Sequence, residues 1–299
     1  MKAPIHHFAV LLAVFALTGC WRGRLLVCGE LPFWASLGEP RRAQAALAVH
    51  SILHGYLPTF LYVGAQENPR ERLVRALSAG RFSAAVVGPL LSLEAAGFVN
   101  GFPRVRFVIV DGLQGAGGAV NVTRLTFDRT DAYRLAGEGA QLSLAAGPPG
   151  GRLGVLAAGD GAAAAAEDEV RAFLEGAGPE GERAVVRGIN EPADAAQVKK
   201  AVEEMRGEGV EIFLPRLAGL DAACLEALRD AGGCAVAADW EASEAFPRQV
   251  FLSIEERTID GIGLCLGGQE GGVVKGTVGL ACGKARTVPP EIRKKGRCR

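Results

Sequence analysis

The sequence is short of the groups on which most enzyme chemistry rests. Histidine occurs only four times in 299 residues, and two of these, His6 and His7, sit at the amino end before an apolar run. His50 and His54 remain, four apart on a stretch of helical periodicity, where they could share a metal. Ser51 stands where a zinc-protease helix would carry glutamate, and a solvent-facing helix surface is the simpler reading. There is no GxSxG elbow, so a Ser-His-Asp arrangement has little material. No GxxxxGK[ST] loop is present. The Gly-rich run 112–118 follows an expected strand, but its spacing is not GxGxxG and it leads into another strand; Gly261-Ile262-Gly263 lies inside a helical pattern. The 33 basic and 33 acidic side chains cancel, which argues against nucleic acid or an anionic membrane face as partner. None of the seven cysteines is spaced as a zinc cluster. The expectation is a protein without catalysis, metal or cofactor.

What is present begins at residues 1–20. Lys2 gives a positive start, residues 8–17 are an unbroken apolar run, and Leu17-Thr18-Gly19-Cys20 ends it with a small residue before cysteine. These are the three regions of a secretory signal, and the run is too short for the ~20 residues that span a bilayer. The ending looks like a bacterial lipobox. Residues 1–19 are therefore expected to be a signal peptide and Cys20 the lipidated first residue of a protein tethered outside the cytoplasm. It would be held at the cell membrane or outer membrane and face the periplasm or exterior. Trp21 follows, not the aspartate that commonly retains such proteins at the inner membrane. An oxidising compartment permits disulfides among the other six cysteines. Cys224 and Cys234 bracket one expected helix and are the pair to inspect, against the preferred reading of small buried hydrophobes.

Beyond the leader the chain alternates strand and helix. Strands are expected at 24–30, 60–65, 82–88, 104–111, 119–127, 152–158, 183–189, 210–215, 234–239, 249–254 and 276–280. Helices are expected at 40–57, 69–79, 130–146, 167–176, 192–206, 222–231 and 258–266. Asn68 and Pro69 open the second helix as cap and first-turn residue. Strands rich in Val, Ala and Ile without alternation fit burial on both faces. The order implies parallel sheets covered by helices, in two α/β lobes: 20–127, completed by part of 253–285, and 128–252. A basic tail, 286–299, follows.

In open sheets of this kind ligands lie beyond the carboxyl ends of the strands. The segments to search are 30–39, 64–68, 88–90, 111–118, 157–161, 215–220 and 239–244. Asp239, ending an apolar strand, can accept hydrogen bonds from two neighbouring hydroxyls or cap a helix. Phe33 and Trp34, in an expected loop after the first strand, can stack on a flat base or sugar face or pack under that loop.

The stretch 107–137, FVIVDGLQGAGGAVNVTRLTFDRTDAYRLAG, resembles the basic membrane protein family of bacterial lipoproteins, also called purine nucleoside receptor A-like. Its pattern of a strand-ending Asp, then Asn-Val, Phe and a helix with Leu-Ala-Gly falls here on Asp111, Asn121-Val122, Phe127 and Leu135-Ala136-Gly137. The resemblance implies two Rossmann-like lobes of type I periplasmic binding protein architecture that close on a ligand. It also implies uptake of purine nucleosides through the permease of an ABC transporter. In the first-strand loop the family's Asp, Phe and Asn correspond to Glu30, Phe33 and Trp34. Its ribose-holding Asp-x-Asp corresponds to Asp239, Trp240 and Glu241. The Lys three places after the late-strand Ser falls on Glu256, a charge reversal, and the Gly-rich loop of the second lobe is altered to a run containing Arg216. Replacing Lys by Glu exchanges a donor for an acceptor, and Trp for Asn removes base-edge hydrogen bonding.

The resulting expectation is a lipid-anchored solute-binding protein. Its ligand residues would be Glu30, Phe33, Trp34, Asp111, Arg216, Asp239, Trp240, Glu241 and Glu256. The alternative is a sensor or surface-interaction lipoprotein that keeps the fold with a diverged or blocked cleft.

Overall fold

Among the described residues the apolar runs fold into twelve strands shared between two sheets. The computed structural model describes residues 21–296 apart from 38–39, 65–66, 90, 93–96, 112–118, 148, 191–192, 218, 239–241 and 269–270. The chain divides into two compact units. The first takes residues up to Phe127 and Arg257–Thr277; the second takes Asp128–Glu256 and Val278 onward.

The first unit holds β1 (Gly23–Glu30), β2 (Tyr56–Val63), β3 (Phe82–Val87), β4 (Arg106–Val110), β5 (Val122–Phe127) and, late in the chain, β11 (Gly272–Gly276). They lie in the order β11-β5-β4-β3-β1-β2, every pair parallel. Successive residues of the central strands are buried on opposite faces. Leu26, Cys28, Ala85, Val87, Phe107 and Ile109 join one core cluster, while Leu25, Val27, Val86 and Val108 are equally inaccessible. This is why the runs show no polar alternation. Pro58, which has no N–H to give, sits in the edge strand β2, where that costs least.

The second unit holds β6 (Arg152–Ala158), β7 (Val185–Ile189), β8 (Val210–Arg216), β9 (Cys234–Ala238), β10 (Val250–Glu256) and β12 (Val278–Cys282). The order is β12-β10-β9-β8-β6-β7, parallel except for β12, which runs antiparallel to β10. Its two faces carry separate cores, one with Leu153, Leu214 and Val236, the other with Leu156, Phe213 and Ala235. Cys224 belongs to the second face and Cys234 to the first. Both are buried free thiols, and the intervening sheet keeps them apart.

Several boundaries differ from the sequence expectation for identifiable reasons. The first long helix, Pro40–Leu53, stops short of residue 57. Gly55, at φ 82°, takes the left-handed conformation open to glycine, and its N–H bonds Ile52 O at 2.9 Å. Residues expected as a loop after β1 form the helix Leu31–Ser36. The single strand expected at 276–280 is two strands, β11 and β12, one in each sheet, parted by Thr277. The basic tail contains the helix Pro290–Gly296, whose Ile292 is wholly inaccessible in the core of the second unit. Asn68 caps Pro69–Ala79 as its type requires, its Oδ1 accepting from Glu71 N at 3.1 Å.

Candidate functional site

At the carboxyl edge of the first sheet, β1 ends on Glu30, which is 9% exposed. Both of its carboxylate oxygens are buried without a hydrogen-bond partner. Burial pushes its pKa up from the usual glutamate value. The Glu30 and Leu91 backbone amides draw it partly back without reaching hydrogen-bond geometry. An orphaned buried carboxyl costs stability, so its presence at a strand end calls for a function. Two glycines make the space. A Cβ on Gly88 would stand 2.9 Å from Glu30 Oε2 and 3.0 Å from Phe33 Cγ, and one on Gly29 would stand 2.0 Å from Phe33 Cδ1.

Phe33 and Trp34 lie on the helix Leu31–Ser36, 3% and 1% exposed. The indole N–H of Trp34 is donated to Gly29 O at 2.9 Å. Its ring meets Tyr62 at 4.5 Å between centroids and Phe33 edge-on at 5.3 Å. Trp34 thus packs against Phe33 and is tied to the β1 backbone at Gly29. Asp111, directly after β4, has φ 45°, a conformation that short polar side chains tolerate, and its N–H bonds Leu125 O at 2.7 Å.

The second sheet's carboxyl edge is charged. Arg216 ends β8. Its guanidinium donates to Tyr133 Oη at 2.7 Å, to Glu169 Oε2 at 3.1 Å and to Glu167 Oε2 at 3.3 Å, and lies 5.7 Å from the Tyr133 ring centroid. Glu256 ends β10 and is ion-paired with Arg129, which also reaches Glu169 Oε1 at 3.4 Å. The charge reversal read in the sequence is therefore matched by a cation from another segment. Gly159, Asp160, Gly161, Gly188 and Asn190 line a cavity of about 480 Å³ at the ends of β6 and β7. Sequence reasoning passed over Arg129, Tyr133 and Glu169. The only signal for them was that Arg129 and Tyr133 lie inside the stretch 107–137.

Asp239, Trp240, Glu241 and Cys20 fall outside the described residues. Among the described residues no group of three side chains could hold a metal ion, and no helix is long and apolar enough to cross a membrane. His50 and His54 pack on the helix Thr258–Gly267 instead. A Cβ on Gly263 would stand 2.6 Å from His50 Nδ1, and one on Gly267 2.7 Å from His54 Cε1. His50 Nε2 lies 3.6 Å from Asp260 Oδ1.

No protein-family model matches the chain, and no curated protein matches it. Solved structures do. A transcriptional activator of the comK gene from Bacillus halodurans superposes with a TM-score of 0.71 at 21% identity, over 92% of this chain and 95% of that one. An ABC transporter solute-binding protein from Aeropyrum pernix K1 gives 0.65 at 17%, over 86% and 76%. A periplasmic ribose ABC transporter protein from Conexibacter woesei gives 0.64 at 13%, over 88% and 93%. The likeness, with the two six-stranded, mostly parallel sheets, establishes the fold as that of type I periplasmic binding proteins.

Proposed function

We propose that this chain is an extracytoplasmic solute-binding protein, anchored by lipid on Cys20 and delivering its ligand to the permease of an ABC transporter. The ligand is a small polar molecule rich in hydroxyls, most specifically a purine nucleoside, as the resemblance to the basic membrane protein family implies. The observation that carries this reading is Glu30: a buried carboxyl with no hydrogen-bond partner at the carboxyl end of a central strand, where ligands of open α/β sheets are met. Phe33, buried beside it, faces the same space at Gly88. Asp111 follows β4 in the first unit and Arg216 ends β8 in the second; in sequence Asp239, Trp240 and Glu241 come directly after β9. Likeness to sugar transporters supports a polyol without selecting it. No covalent step is assigned to any residue.

The test is a thermal-shift series on the purified chain with adenosine, guanosine, inosine, free bases, ribose and myo-inositol. A ligand at a hundred times its dissociation constant adds about 2.7 kcal/mol to stability. A silent series sinks the reading.

A second reading is a sensor or interaction lipoprotein on the same fold. It is favoured by the engagement of Arg216 with Tyr133 and Glu169 and by the burial of Trp34, both of which occupy groups a ligand would use. The comK-gene activator is a relative in fold with a regulatory description. A silent ligand series together with capture of a defined protein partner would establish this second reading.

A further inference from the structure

The chain leaves the first unit after Phe127, returns to it after Glu256 and leaves it again after Thr277. The first two passages are fastened by side chains within the second unit. Arg129, two residues beyond the first passage, pairs with Glu256, the last residue before the second. The second and third are joined by backbone, Arg257 N–H to Thr277 O at 2.9 Å. Arg129 also faces Glu169 at 3.4 Å, and the other oxygen of Glu169 takes a hydrogen bond from Arg216 at 3.1 Å. The four side chains are 17% to 24% exposed, so solvent and salt screen them less than surface charges. Along Glu256, Arg129, Glu169 and Arg216 the signs alternate, and each inner charge lies between two of opposite sign.

We propose that the Arg129–Glu256 pair is a latch holding the first two passages together, and that Glu169 links this latch to Arg216 at the end of β8. Glu256 and Glu169 are then positioning residues. A ligand oxygen that accepts from Arg216 competes with Glu169 for the guanidinium. Glu169, so released, turns its charge to Arg129 and competes with Glu256. The latch stands on geometry alone; its response to ligand rests on the solute-binding reading above.

Hydrogen exchange on the full chain without ligand tests the latch, read in peptides covering 127–131 and 254–258. Glu256→Gln and Arg129→Met should each speed exchange in both segments by about tenfold, the change made by an interaction worth about 1.4 kcal/mol. The double variant should add little to either single one, as for two members of one pair. Glu169→Gln removes the rival carboxylate for Arg129 and should instead slow exchange at 254–258. Additive effects, or changes confined to the substituted segment, overturn the latch. An E169Q protein with wild-type exchange at 254–258 overturns the link to Arg216. Because no ligand enters these measurements, a failed ligand series leaves their outcome standing.

Discussion

Asn121 donates its side-chain amide to the carbonyl oxygen of Val105 at 2.9 Å and to that of Phe102 at 3.2 Å. The residue that begins the Asn-Val pair of the family-like stretch is thus a staple. It fixes the turn that leads into β4 against the start of β5, while its backbone carbonyl accepts from Phe107 N at 2.8 Å. Both bonds hold a segment upstream of Asp111 and place that strand end. Asn121→Ala removes them and takes the donor from the Val105 carbonyl, while Phe102 O keeps the Val105 N–H at 3.0 Å, and should cost about 1–3 kcal/mol. Urea denaturation of the two proteins measures this; an unchanged midpoint would show that water replaces the amide without loss.

Gly137, the glycine of the Leu-Ala-Gly triplet, lies where the helices Thr130–Ala145 and Asp168–Gly176 touch. A Cβ there would stand 2.0 Å from the Phe173 carbonyl oxygen, and one on Gly176 2.0 Å from that of Arg134. Backbone cannot swing aside as a side-chain tip can. Gly137→Ala should therefore destabilise by about 1–3 kcal/mol, the usual cost of overpacking, in spite of alanine's better helix propensity. Circular-dichroism melts decide the sign, and a stabilised variant would contradict the close approach.

Glu30 offers a trade between stability and binding. Its raised pKa means that the neutral acid is the tolerated form. Its favourable contribution is complete below the usual glutamate value and disappears as pH rises through the higher folded value. Glu30→Gln keeps the shape and stays neutral. It should be more stable than wild type at pH 7, with the advantage shrinking towards pH 4, and it should weaken any ligand response. Denaturant midpoints from pH 4 to 8 test this; a variant less stable than wild type at pH 7 refutes the idea of an unsatisfied carboxyl.

His54 works in the opposite direction. Burial, with His50, Arg22 and Arg106 nearby, lowers its pKa below the ordinary 6.5. The native state therefore resists a proton that the unfolded chain accepts. No stability is lost above the unfolded value, and stability declines as pH falls through 6.5 towards the lower native value. His54→Gln should flatten the decline between pH 7 and 5 in melting temperatures. A slope equal to that of wild type would assign the decline to other groups.

The sequence by itself determined the alternation of strands and helices, the burial of strands on both faces and the presence of two mostly parallel sheets. Each of these follows from local apolar runs and capping residues such as Asn68, whose effect is complete within a few positions. The strand ends were legible for the same reason, and with them Glu30, Asp111 and Arg216 as candidates. Only the tertiary structure decided what those side chains meet. Arg216 finds Tyr133, 83 residues away, and Glu256 finds Arg129 across most of the second unit. The run after residue 271 is divided between two sheets because Thr277 stands where the chain changes unit. Trp34, readable as a stacking surface, is buried because Gly29, Phe33 and Tyr62 converge on it. Periodicity reports which face of an element is apolar; a partner distant in sequence leaves no local mark, since the contact exists only after the sheets are assembled.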